Sequence, residues 1–214
     1  MQVSEIFNSI EGEGIRCGYL TTFIRLYGCN LHCSYCDTRY SCQGNDFTIM
    51  TPAQIVEKVA RLKTDRVTLT GGEPLWQTET PLLLQLLTEA SYEVNIETNG
   101  SINISPYTTN PMVIITMDYK LPQSGMINQM EPNNLRHLRE QDVLKFVVSD
   151  TADLWAMKKL LDQVPLKCHI FISPAFGQIE LAKIVKFMKE QQLHDCRLQI
   201  QLHKIIWDPD QRGV

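Results

Sequence analysis

Short apolar, β-branched runs recur along this 214-residue chain: TTFIRLY (21–27), RVTLT (66–70), EVNIET (93–98), MVIIT (112–116), LKFVV (144–148), HIFIS (169–173) and LQIQL (198–202). Their near-continuous hydrophobicity predicts strands covered on both faces, as in a parallel sheet. Helical patterns lie between several of them. TPAQIVEKVARLK (51–63) begins with Thr51 as N-cap and Pro52 at the first helical position. TETPLLLQLLTEA (78–90), TADLWAMKKLLDQV (151–164) and IELAKIVKFMKEQQ (179–192) follow the 3.6-residue period. This alternation predicts an α/β domain with right-handed crossovers, either an open sheet or a barrel. The least regular stretch, 121–141, reads as a loop with a short helix.

The polar and glycine-rich clusters sit at the ends of the predicted strands. The cysteine loop follows TTFIRLY, GGEPLW follows RVTLT, and Asn99-Gly100 follows EVNIET. MDYK, SD, SPAFG and HK close the remaining four. In parallel α/β folds that edge is where ligand sites assemble, so the clusters are expected to meet at one mouth. Ser149-Asp150 reads better as the N-cap of the helix after its strand.

Composition narrows the setting. With 43% hydrophobic residues the chain is long enough for one well-buried domain, taken as residues 1–214. A net charge of -4 gives no reason to expect a nucleic-acid or anionic-membrane partner. The first residues lack the pattern of a secretory signal, and no apolar run is long enough to span a bilayer. The expected address is cytoplasmic, where thiols stay reduced; seven cysteines, an odd number, also argue against a full disulfide framework.

Four of those cysteines, Cys29, Cys33, Cys36 and Cys42, fall inside fourteen residues. Cys29-x3-Cys33-x2-Cys36 places three soft ligands where they can converge on one metal centre. Zinc would need a fourth ligand, His32 or Cys42. A four-iron cluster held by three cysteines would leave one iron open to an outside ligand. Arg25, flanked by Phe23, Ile24 and Leu26, is expected to be partly buried, and a buried guanidinium needs an anion; its fork fits a carboxylate.

The Cys-x3-Cys-x2-Cys spacing resembles the radical S-adenosylmethionine (SAM) superfamily, and TGGEP (70–74) resembles its GGE motif. The flanking segments FNSIEGEG, FIRLYGCN, YCDT, TLTGGEPL, VNIETNG, YKLP and LQIQLHKIIW are similar to the 7-carboxy-7-deazaguanine synthase family. The resemblance implies a partial, incomplete TIM-type barrel of the radical SAM kind with parallel strands, usually a homodimer. It implies conversion of 6-carboxy-5,6,7,8-tetrahydropterin into 7-carboxy-7-deazaguanine with loss of ammonia, on the route to queuosine. The cofactors would be a [4Fe-4S] cluster, SAM and Mg²⁺, with a flavodoxin-type reductant.

By the same resemblance, Cys29, Cys33 and Cys36 hold the cluster. Tyr35, Cys36, Asp37, Gly71, Gly72, Glu73, Asp118, Tyr119, Lys120, Ser173 and Pro174 contact SAM. Ile10, Glu11, Gly12, Arg25, Thr70 and His203 contact the pterin, and Thr38 holds Mg²⁺. MDYK (117–120) departs from the Ser-Pro-Lys of some relatives. Cys17, Cys42, Cys168 and Cys196 receive no role. Two rival readings remain at this stage: a radical SAM activase acting on a partner protein, and a zinc-stabilised binding module using Cys42 as fourth ligand.

Overall fold

The computed structural model describes residues 1–214. Nine strands form one sheet: β1 (Gln2–Ile10), β2 (Leu20–Leu26), β3 (Thr48–Ile49), β4 (Arg66–Gly71), β5 (Glu93–Thr98), β6 (Val113–Tyr119), β7 (Val143–Val148), β8 (His169–Pro174) and β9 (Cys196–Leu198). Their order is β3-β1-β2-β4-β5-β6-β7-β8-β9. From β2 through β9 every neighbouring pair is parallel, whereas β1 runs antiparallel to β2 and β3. The sheet is open, an α/β partial barrel as expected.

Helices α1 (Pro52–Ala60), α2 (Thr80–Glu89), α3 (Thr151–Gln163) and α4 (Leu181–Glu190) fall where the periodicity put them, and a short α5 (His203–Ile206) follows β9. Thr51 caps α1 in a capping box with Gln54, and Asp150 caps α3 by accepting from Asp153 N–H at 3.0 Å. The crossovers β5–β6 and β6–β7 hold only 3-10 turns, at Ser105–Tyr107, Pro122–Ser124, Ile127–Gln129 and Pro132–Arg136. The expected strand 198–202 is displaced: pairing ends at Leu198, because Gln199 and the residues after it turn toward the N-terminal loop.

One face of the parallel strands meets the helices. Ile24, Leu69, Ile96, Ile115, Phe146 and Ile172 are fully buried, in one core with Ile55, Leu83, Met157 and Ile184 of the helices. The alternate positions, Arg25, Thr70, Glu97, Asp118, Lys145 and Ser173, line a cavity on the other face. Six strands therefore carry charge or hydroxyl on the inside. The expectation of strands apolar on both faces holds for only one of them.

The inner face is floored by residues 11–16, which leave β1 at the edge where the parallel strands begin. Glu11 accepts from the Thr68 hydroxyl on β4, Lys145 of β7 pairs with Glu13 at 2.7 Å, and Arg16 donates to the Glu93 carbonyl on β5. The Gln199 amide clasps Gly14 twice: Gly14 N–H donates to Gln199 Oε1 at 2.8 Å and Gln199 Nε2 donates to Gly14 O at 3.2 Å. Gln199→Ala removes both bonds and leaves the part-buried Gly14 N–H unpaired, while Gly14 O keeps its bond from Cys17 N–H. Denaturant melts should show a loss of about 1–3 kcal/mol with unchanged m-value.

Candidate functional site

The cavity on the inner face has a volume of about 650 Å³, the size of a cofactor-plus-substrate site. Cys29, Cys33 and Cys36 line its mouth, at the C-terminal edge of the parallel strands. All three are free and half-buried. The neighbouring Cys42 thiol, with Leu31 N–H and the Asn99 amide, holds the Cys29 thiol below the ordinary range against the opposing effect of burial. Burial raises Cys33. No three His, Cys, Asp or Glu side chains close on a single point. A tetrahedral zinc needs four donors at about 2.3 Å from one centre, whereas an iron–sulfur cluster is a larger body held by thiolates.

Two glycines join the cysteine loop to the end of β4. Gly71 has φ +144°, and a Cβ there would lie 2.2 Å from Leu26 O. At Gly72 it would lie 2.0 Å from the Gly28 carbonyl oxygen. The close approach allows Gly72 N–H to donate to Leu26 O at 3.0 Å and Glu73 N–H to Gly28 O at 2.8 Å. Glu73 itself points away from the cavity. Its fully buried carboxylate accepts from Leu75 N–H, Thr98 Oγ1 and Asn99 N–H, so it pins the turn to the end of β5. Burial nevertheless raises its pKa to about 7.

Of the residues singled out in the sequence, Ile10, Glu11, Gly12, Arg25, Tyr35, Asp37, Thr38, Thr70, Asp118, Lys120, Ser173, Pro174 and His203 also line the cavity. Glu73 and Tyr119 do not; the Tyr119 ring packs edge-on against Phe146. Lys120 pairs with Asp118 at 3.0 Å and lies 5.9 Å above the Tyr35 ring. His203 packs against Gly12, and burial lowers its pKa. Thr38 Oγ1 lies 3.8 Å from Cys36 Sγ.

Several buried polar atoms of the cavity's residues have no partner: Tyr35 Oη, Asp118 Oδ1, Ser173 Oγ and Glu13 Oε1. Buried polar groups are normally satisfied, so these mark where a polar ligand completes the structure. Together with the free thiols and the exposed backbone of the glycine turn, they fit an iron–sulfur cluster with a polar cofactor beside it.

A model of the Radical SAM superfamily matches residues 23–105. A 7-carboxy-7-deazaguanine synthase from Clostridium acetobutylicum is 45% identical over all of this chain and 99% of its own length. One from Methanospirillum hungatei is 42% identical over 98% of this chain and 86% of its own. The chain belongs to the 7-carboxy-7-deazaguanine synthase family. Membership makes it a radical SAM lyase, with a [4Fe-4S] cluster and SAM as its cofactors. The fold agrees: a crystal structure of QueE from Escherichia coli superposes with a TM-score of 0.77, at 22% identity over 94% of each chain. SuiB from Streptococcus suis gives 0.57 at 13% identity, over 81% of this chain and 46% of its own. No helix is long and apolar enough to cross a membrane.

The cavity also contains charged residues that were assigned no contact above. Glu13, Glu97 and Lys145 line it, and Lys204 pairs with Asp37 at 2.8 Å. Glu13, Glu97 and Lys204 fall within the segments FNSIEGEG, VNIETNG and LQIQLHKIIW; Lys145 lies inside an apolar strand and was missed. A charged residue interrupting LKFVV was the available signal.

Burial raises Glu11, helped by the neighbouring Glu97, just as burial raises Glu73. At these two carboxyls the native state binds more protons than the unfolded chain from about pH 4.5 to about 7, so their contribution to stability falls as pH rises through that window. Glu11→Gln keeps an acceptor for Thr68 and removes one contribution. Unfolding free energies measured across that range should then decline less steeply, by up to about 1.4 kcal/mol per pH unit.

Proposed function

We propose that the chain converts 6-carboxy-5,6,7,8-tetrahydropterin into 7-carboxy-7-deazaguanine and ammonia. The observation that carries this reading is one cavity lined by three free cysteine thiols, the Gly71-Gly72 turn and the Arg25 guanidinium. Cys29, Cys33 and Cys36 hold the cluster. When bound, the cluster and SAM would supply one-electron radical chemistry.

The chain's own residues bind, orient and exclude water. The Tyr35 edge and the backbone of Cys36, Asp37, Gly71 and Gly72 cradle SAM, with Asp118, Lys120, Ser173 and Pro174 on the facing strands. Arg25 receives the pterin carboxylate, and Ile10, Glu11, Gly12, Thr70 and His203 enclose the ring below it. Thr38 would offer one hard oxygen to Mg²⁺, an ion that prefers few protein ligands. Such a cavity fixes the reacting carbon and keeps solvent from a reactive species. A flavodoxin-type reductant and a homodimeric state complete the reading.

Anaerobic incubation with SAM, a reductant and the carboxy-tetrahydropterin should generate the deazaguanine chromophore and ammonia in equal amounts; SAM turnover without that product would overturn the substrate assignment. Replacing Cys29, Cys33 or Cys36 by Ala should abolish bound iron and the brown colour of anaerobically purified protein. Cys42→Ala should retain the full iron content. Stoichiometric zinc and no iron would instead favour the binding module.

A further inference from the structure

Glu5 has no part in the assignments above, yet it is in contact with Arg25. Its Oε1 accepts from Arg25 Nε at 2.7 Å and from the Tyr40 hydroxyl at 2.8 Å. Both members of the ion pair are largely withdrawn from water, with 15% of the Arg25 side chain and 18% of the Glu5 side chain exposed. Arg25 makes no other side-chain hydrogen bond, so its Nη1 and Nη2 remain free while the residue lines the cavity.

The pairing depends on a break in strand register. Val3 stands opposite Leu26, but Glu5 stands opposite Arg25, with Ser4 accommodated between them as an irregularity in β1. Had the Val3–Leu26 register continued, Ser4 would face Arg25 and Glu5 would face Ile24, which is fully buried in the core. A one-residue shift exchanges the two faces of a strand, and bulges beside functional sites commonly re-aim a side chain. Here the shift puts a carboxylate on the inner face, where Arg25 is. Tyr40, carried by the cysteine loop, adds a second bond, and the Arg212 guanidinium lies 3.7 Å above the Tyr40 ring.

We propose that Glu5 is a positioning residue for Arg25, holding its Nε so that the guanidinium presents only its Nη1–Nη2 edge to the carboxylate of the pterin. A guanidinium offers two bidentate edges, one through Nε and one through the two Nη atoms. With Nε occupied, the carboxylate is received end-on, in a single orientation. The Arg25–Glu5 pair is close to neutral, so recognition rests on the direction of two N–H donors more than on net charge. This inference rests on the assignment of Arg25 to the substrate carboxylate.

The test uses the reconstituted holoenzyme under anaerobic conditions. Equilibrium dialysis with SAM and no reductant gives the Kd of the carboxylated pterin and of tetrahydropterin lacking the carboxylate; steady-state turnover gives KM and kcat. Glu5→Ala should raise Kd and KM for the carboxylated ligand about tenfold, with kcat within about threefold of the parent and the Kd of tetrahydropterin unmoved. Glu5→Gln, whose amide oxygen still accepts from Nε and Tyr40, should recover most of the loss.

Equal weakening of both ligands, a fall in kcat at constant KM, no change, or a Gln variant as poor as Ala would each overturn the proposal. Should Glu5→Ala not fold, Glu5→Asp withdraws the carboxylate by one methylene, and weaker binding of the carboxylated pterin alone is again the supporting result. Arg25→Ala separates the two claims. If it leaves binding of the carboxylated pterin intact, the substrate assignment of Arg25 fails; if it weakens that binding while the Glu5 variants do not, only the positioning role fails.

Discussion

The contact on which the site depends is between two pieces of backbone. The Gly72 peptide lies against the Gly28 carbonyl so closely that no side chain fits between them, and paired N–H···O bonds run from Gly72 to Leu26 and from Glu73 to Gly28. Gly28 N–H in turn donates to Ser41 O at 2.7 Å, from the far side of the cysteine loop. The loop bearing the three thiols is thereby fixed at both ends relative to β2 and β4. Glu73 extends the brace to β5 through Thr98 and Asn99. A metal centre built on a loop needs such support, because ligand geometry is only as well defined as the backbone carrying it.

Beneath that brace, the inner face is an array of paired charges in place of an apolar barrel filling. Lys145 answers Glu13, Lys120 answers Asp118, and Arg25 answers Glu5. Burial works to lower both lysines' pKa values, but their carboxylate neighbours outweigh it and raise them above the usual lysine range. Each pair leaves something unused: Glu13 Oε1, Asp118 Oδ1 and the Nη edge of Arg25. Pairing fixes the direction of each group, and the spare atoms belong to residues that line the cavity.

Much of this was legible in the sequence, for identifiable reasons. Six of the seven parallel strands and four helices follow from hydrophobic runs, 3.6-residue periodicity and the Thr51-Pro52 start signal, all of which are local. The cysteine spacing and Gly71-Gly72 are equally local. The seventh strand was misplaced because LQIQL has strand composition, while Gln199 spends its amide on Gly14, 185 residues away. Glu5 and Tyr40 were invisible for a related reason: their meaning lies in a register shift and in a loop folded back over it. β1 itself, with SEIFN in its middle, lacks the apolar run that marks the parallel strands.

The Gln199 clasp also bears on when the cavity exists. Nearly the whole chain separates the two halves of that contact, which is costly to close and late to be rewarded. On a ribosome, β1, β2 and the cysteine loop emerge before residues 199–203. Until those residues emerge, the floor at residues 11–16 has its bonds to β4, β5 and β7 but lacks the clasp on Gly14. The thiol loop therefore precedes the clasp that fastens the floor beneath it.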